Sequence, residues 1–149
     1  MKGSRRRSRE LVLQGLYQWL LSGTSADELL AQLAQSGAFK KADPEYVEML
    51  LRTTLRDAES LRTRLQPYLD RNAKALSPVE HALLLMAACE LATQLDTPYR
   101  VVINEAVELA KSYGGTDGYK YVNGVLDKLA AELRPSETSE PRGTQRTRR

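Results

Sequence analysis

Five of the first nine residues are cations, Lys2, Arg5, Arg6, Arg7 and Arg9, and no carboxylate stands among them. They run directly into an amphipathic stretch that begins near Glu10. Guanidinium groups pair with phosphate and stack on bases, and aromatic rings offer their faces to unpaired bases. On a helical wheel Arg6 and Tyr17 fall on the same edge, three turns apart, so a single helix would carry both kinds of contact. Asp117, Lys120, Tyr121 and Gly124 form a second set at i, i+3, i+4, i+7 spacing. There Lys120 suits a phosphate, Tyr121 a stacked base, and Asp117 a base amino group. A solvated basic terminus and an ordinary helix surface are the plainer readings of the same residues. Seven tyrosines against one phenylalanine favour wet aromatic contacts over a purely apolar use of the rings.

Catalysis finds less support. His81 stands beside Glu80, but neighbours on a helix point about 100° apart and no nucleophile accompanies them, so His81 reads as structural or merely exposed. Cys89 is the only cysteine and lies inside an apolar run. It cannot form an intrachain disulfide, reads as an inert core residue, and fits a reducing, cytoplasmic compartment. Glu105 and Glu108 read as helix-surface carboxylates that bridge to Lys111 or serve helix solubility. No metal-ligand spacing of Cys and His and no glycine-rich phosphate loop occurs, so neither a metal nor a cofactor is expected, and the chain reads as a non-enzyme.

The net charge of +3 conceals an uneven distribution. Residues 1–9 carry +5, residues 134–149 carry +3, and the body between them carries −5. A polyanion would be drawn to the ends and repelled by the middle, with an affinity that falls as salt rises. No run of about 18 apolar residues exists to span a membrane. Gln14, Gln18 and Ser22 break the stretch after the arginines, which reads as a helix of the mature protein and not as a signal peptide.

These residues need helices to position them. The length suits one domain with one core, and the apolar period is helical almost throughout, giving an all-α fold of about six or seven helices. Val12, Leu13, Leu16, Trp19 and Leu20 share the face of the first helix. Continuing that wheel backwards puts Arg5 and Arg9 over the apolar stripe, so residues 1–9 are expected to project as an arm. A short helix follows over Ser25–Gln35. Asp43-Pro44 opens a longer segment, broken in the middle, that reaches Pro67. Ser77-Pro78-Val79-Glu80 is the clearest helix start, read as a capping box, and the apolar run Ala82–Cys89 marks the core helix. Val102, Ile103, Ala106, Val107 and Ala110 line the next helix, which Gly114-Gly115 should cap, and Val122, Val125, Leu126, Leu129 and Leu133 line the last. The helical domain is thus placed at residues 10–134, and 135–149, without a large apolar side chain, is expected to be disordered.

Three segments resemble the NusB family of bacterial transcription antitermination factors: RRRSRELVLQGLYQW at 5–19, SPVEHALLLMAACEL at 77–91, and VVINEAVELAKSYGGTDGYKYVNGVLDKL at 101–129. The third is the most specific, and the resemblance spans about residues 4–134. It implies a helical bundle in two small subdomains that binds single-stranded boxA RNA jointly with NusE, a small-subunit ribosomal protein. The pair joins an RNA polymerase antitermination complex that supports ribosomal RNA transcription. Residue by residue, it implies RNA contact by Arg5, Arg6, Arg7, Arg9, Tyr17, Asp117, Lys120 and Tyr121, with Tyr68 and Tyr113 as further candidates. Glu80 matches a family position facing the ribosomal protein. The 114–119 turn is richer in glycine than the family's usual turn. NusB-like bundles also occur fused to RNA methyltransferases, but this chain has no room for a cofactor-binding domain. A protein scaffold with an incidental basic terminus is the remaining rival. Monomer and homodimer both fit the apolar face of the first helix.

Overall fold

The computed structural model describes residues 3–113 and 117–139. Seven helices of two turns or more follow one another: α1 (Arg5–Ser22), α2 (Ala26–Ala34), α3 (Pro44–Arg56), α4 (Ala58–Leu65), α5 (Pro78–Thr93), α6 (Tyr99–Tyr113) and α7 (Gly118–Leu133). A single turn, α8 (Pro135–Thr138), ends the described chain. Among the described residues the sole β-type pairing is an isolated bridge between Ser4 and Ala42.

The helix starts follow from local chemistry. Ser25, Asp43 and Ser77 each accept a hydrogen bond from a backbone N–H in the first turn of the helix they precede, and proline occupies the first position of α3 and α5. Side-chain oxygens there satisfy donors that a helix leaves orphaned. The capping box at Ser77 is half made: Ser77 Oγ accepts from Glu80 N at 3.2 Å, while the Glu80 carboxylate turns towards Gly118. The expected break in the long middle segment falls at Asp57, between α3 and α4. Gly23 ends α1 in the left-handed conformation, φ 71°, that glycine adopts without steric cost.

Every residue of α5 from His81 to Leu91 is buried. This helix packs against α1 and α3 on one side and α4, α6 and α7 on the other, so the two groups of helices share one core through it. A helix apolar all round can occupy only such a central place. Gly15 lets α1 come close to α2 and α3, since a Cβ there would lie 3.3 Å from Leu51 Cδ1 and 3.4 Å from Leu33 Cδ1.

Two expectations about the ends are corrected. Residues 5–9 do not project as an arm: α1 starts at Arg5, and Ser4 Oγ caps it by accepting from Arg7 N at 3.1 Å. The wheel argument assumed that no arginine could sit over an apolar stripe, whereas Arg9 does so at 4% exposure because a buried carboxylate meets it. Nor does order stop at Arg134. That side chain is buried and donates to the backbone carbonyls of Leu91 (2.8 Å), Gln94 (3.0 Å) and Thr97 (3.0 Å), and it pairs with Glu137 in α8. It thereby satisfies the carbonyls that end α5, and residues 135–139 follow it as a turn of helix and one further residue. The Gly114-Gly115 cap and residues 140–149 lie outside the described residues.

Candidate nucleic-acid interface

The arginines of the first turns of α1 have four different surroundings. Arg5 is exposed and lies with its guanidinium carbon 3.9 Å from the centre of the Tyr46 ring. Arg6 is also exposed, and its Nε and Nη2 donate to the two carboxylate oxygens of Glu105 at 3.0 and 2.7 Å. Arg7 pairs with Glu10 at 2.9 Å on the solvent side of α1. Arg9 is buried, its Nε 3.0 and 2.9 Å from the oxygens of Glu90, whose Oε2 also accepts from the Tyr46 hydroxyl. Arg9 is therefore spent inside the protein, and the three arginines at 5, 6 and 7 remain at the surface.

Tyr46, Glu90 and Glu105 organise this end of α1, and the reading of the sequence alone did not connect them to it. One signal was present. Glu90 follows the apolar run Ala82–Cys89 in the core helix, and a carboxylate buried there requires a cation and further donors. Burial, together with the neighbouring Glu90 charge, pushes the Tyr46 hydroxyl well above its usual range. The Arg6 guanidinium holds Glu105 below the usual carboxylate range. Glu105 thus bonds across to α1, while the expected salt bridge to Lys111 is made by Glu108 at 3.5 Å.

Further along α1, Tyr17 faces the end of α6. Tyr17 and Tyr113, exposed by 40% and 49%, line one groove of about 270 Å³ with Leu13, Gln14, Gln18 and Val79. Arg6 meets Glu105 and Tyr17 shares this groove with Tyr113, so α1 and α6 both contribute side chains to this face. The groove floor is apolar and its rim carries the amides of Gln14 and Gln18. Aromatic rings with amide donors and acceptors nearby are the groups that unstacked bases contact.

Glu80 follows Val79 and connects the groove to the start of α7. Its Oε2 would lie 3.2 Å from a Cβ placed on Gly118. On that first turn Lys120 Nζ is 3.6 Å from Asp117 Oδ1, with both side chains well exposed. Lys111 and Lys120 lie 5.2 and 6.0 Å from the Tyr119 ring centre. Tyr121 is less available than its spacing implied. Its hydroxyl donates to Asp70 Oδ1 at 3.0 Å and accepts from Asp70 N at 3.2 Å, and Arg71 lies over its ring at 5.4 Å. Arg71 foremost, with help from Tyr121, holds the Asp70 carboxyl down at about 2. Tyr68 stands apart, bonded at 2.7 Å to Glu132 at the far end of α7. The structure therefore brings Arg6, Tyr17, Tyr113, Glu80 and the 117–120 turn to one side, and does not bring Arg9 or Tyr68 there.

His81 is structural. Arg62 Nε donates to its Nε2 at 2.9 Å, and burial first, then the Arg62 charge, pushes its pKa down to about 4. Cys89 is buried, and burial raises its thiol pKa. Among the described residues no cluster of His, Cys, Asp and Glu forms a metal site, and no helix is long and apolar enough to cross a membrane.

Fold and face together define an all-helical bundle that presents cations and tyrosines on one side. The NusB family model matches residues 6–131, and the chain belongs to that family. A transcription antitermination protein NusB from Paraburkholderia xenovorans is 61% identical over 142 residues, covering 95% of this chain and 99% of the relative. The crystal structure of T. maritima NusB superposes with a TM-score of 0.83 at 30% identity, over 93% of this chain and 98% of that one. A structure of antitermination factors NusB and NusE in complex with dsRNA gives a TM-score of 0.77 at 26% identity, over 86% and 96% of the two chains.

Proposed function

We propose that this chain is a cytoplasmic, non-enzymatic transcription antitermination factor that binds boxA RNA together with NusE and enters the RNA polymerase antitermination complex formed on ribosomal RNA operons. The carrying observation is that Arg6 and Tyr17 lie on the one edge of α1 that faces α6, where Glu105 and Tyr113 meet them. Phosphate contacts by Arg5, Arg6 and Arg7 hold the RNA backbone, and Tyr17 and Tyr113 stack unpaired bases. Lys120 adds a phosphate contact and Asp117 a base contact at the start of α7, with Tyr121 beside them. Arg9 serves from inside, anchoring the turn that carries the other arginines. Glu80, between the groove and α7, faces NusE. The NusB–NusE–dsRNA complex of a structural relative supports the pairing of partners.

The protein acts as an adaptor: RNA and NusE bind adjoining faces, and the ternary complex is more stable than either pair. The net charge of −5 on residues 10–133 disfavours RNA in other orientations and favours a basic ribosomal protein. Replacing Arg5, Arg6 and Arg7 by alanine tests the reading. RNA affinity is expected to fall at least tenfold with the helical circular dichroism unchanged. An unchanged affinity would leave a protein scaffold with an incidental basic terminus.

A further inference from the structure

Most cations in the described residues already have a carboxylate within salt-bridge distance. Those without one are Arg5, Lys40, Lys41, Lys74, Arg100 and Lys128. Three of the six belong to one place. Lys40 and Lys41 end a 3₁₀ turn, Gly37–Lys41, and both are exposed. That turn is fastened to the start of α1: Ser4 N donates to the Lys41 carbonyl at 2.8 Å, and Ser8 Oγ accepts from Asp43 N at 2.8 Å. Gly3 presses so closely on it that a Cβ would lie 2.3 Å from the carbonyl oxygens of Lys41 and Ala42. Arg5 stands on the adjoining turn, over Tyr46. The first turn of α1 contains no acidic residue, so the positive end of an 18-residue helix adds to the same field. Asp43, the nearest acid in sequence, is buried and caps α3.

We propose that Lys40 and Lys41, with Arg5, form a phosphate track that carries the RNA backbone past the N-terminal end of α1, beyond the arginine and tyrosine face. This rests on the RNA-binding reading above. Unpaired ammonium groups on a turn read charge and not base identity, so the track lengthens the bound RNA without selecting its sequence. It also predicts a minimum length, since RNA too short to reach the turn gains nothing from it.

The test compares the double variant Lys40→Gln/Lys41→Gln with a charge-matched control, Lys74→Gln/Lys128→Gln, by fluorescence anisotropy on single-stranded boxA RNA over a salt series. The track variant is expected to bind about tenfold more weakly near 0.1 M salt, with a log–log salt slope shallower by about 1.4, two phosphate contacts at about 0.7 each. The control is expected to stay within about twofold of the parent. An unchanged slope in the track variant, or equal losses in both variants, overturns the track. Failure of the Arg5, Arg6 and Arg7 replacement to weaken binding overturns the RNA reading itself, which the lysine comparison then cannot rescue.

Discussion

Arg9 and Glu90 stand 81 positions apart in the chain and meet inside it, with guanidinium and carboxylate 2.9 Å apart and side-chain exposures of 5% and 1%. The pair joins α1 to α5. Because Glu90 also accepts from Tyr46, it joins both to α3, and the surface arginines are carried on the turn so fixed. Removing one member of a buried pair leaves the other charge uncompensated, since a neutral donor such as the Tyr46 hydroxyl does not neutralise Glu90. Arg9→Met is expected to cost about 3–5 kcal/mol in urea unfolding, and the double change Arg9→Met/Glu90→Leu much less. Equal losses in the single and double variants would show that packing, not the charge pair, carries the stability.

Arg134 does comparable work for the end of α5. Its planar fork reaches several carbonyls at once, and a lysine ammonium cannot reproduce that geometry. Arg134→Lys is expected to lower stability by about 2 kcal/mol through unsatisfied carbonyls, read as a drop in Tm. Retention of the parental Tm contradicts the capping role.

The histidine gives a pH signature. With a folded pKa of about 4 against an ordinary 6.5, His81 takes up a proton in the unfolded chain before it does so in the folded one. Stability therefore falls as pH drops from about 6.5 towards 4, and above 6.5 this contribution is flat. His81→Gln keeps an acceptor for Arg62 and removes the titration. The stability difference between parent and variant is expected to change by about 2 kcal/mol across that window, measured by urea unfolding at a series of pH values. A difference independent of pH would mean that His81 is not the group responsible.

On the proposed RNA face, Tyr17 is exposed enough that its loss should leave the fold intact. Tyr17→Ala is expected to weaken RNA binding by about 1–3 kcal/mol, the usual worth of a stacked base, and Tyr17→Phe to retain most of it. Parallel losses in Tm and affinity would point to packing instead.

The helices were legible because their signals are local. Ser77-Pro78 and Asp43-Pro44 announce helix starts within four residues, and the run Ala82–Cys89 can belong only to a central helix. The arm was misread because Arg9 looks impossible on an apolar stripe until Glu90 and Tyr46 are placed beside it. Glu105 was given to Lys111 on its own helix or to solvent for the same reason, since its partner Arg6 lies 99 positions away. The domain was closed at Arg134 because nothing near it in sequence shows the carbonyls of α5 that this side chain meets or the turn that follows it. The pairing of Tyr17 with Tyr113 in one groove is likewise a product of packing. Local periodicity found the edges that bear Arg6, Tyr17 and Lys120, the resemblance alone pointed to Tyr113, and only tertiary contacts determine which side chains stay free.

The most direct test of the central claim is a fluorescence-anisotropy titration of this protein with a short boxA RNA and with a shuffled RNA of equal length, with and without NusE, over a salt series. The account expects a clear preference for boxA, a preference that strengthens when NusE is present, and a salt slope of about −0.7 per phosphate contact. Equal binding to both RNAs, unchanged by NusE, would contradict it.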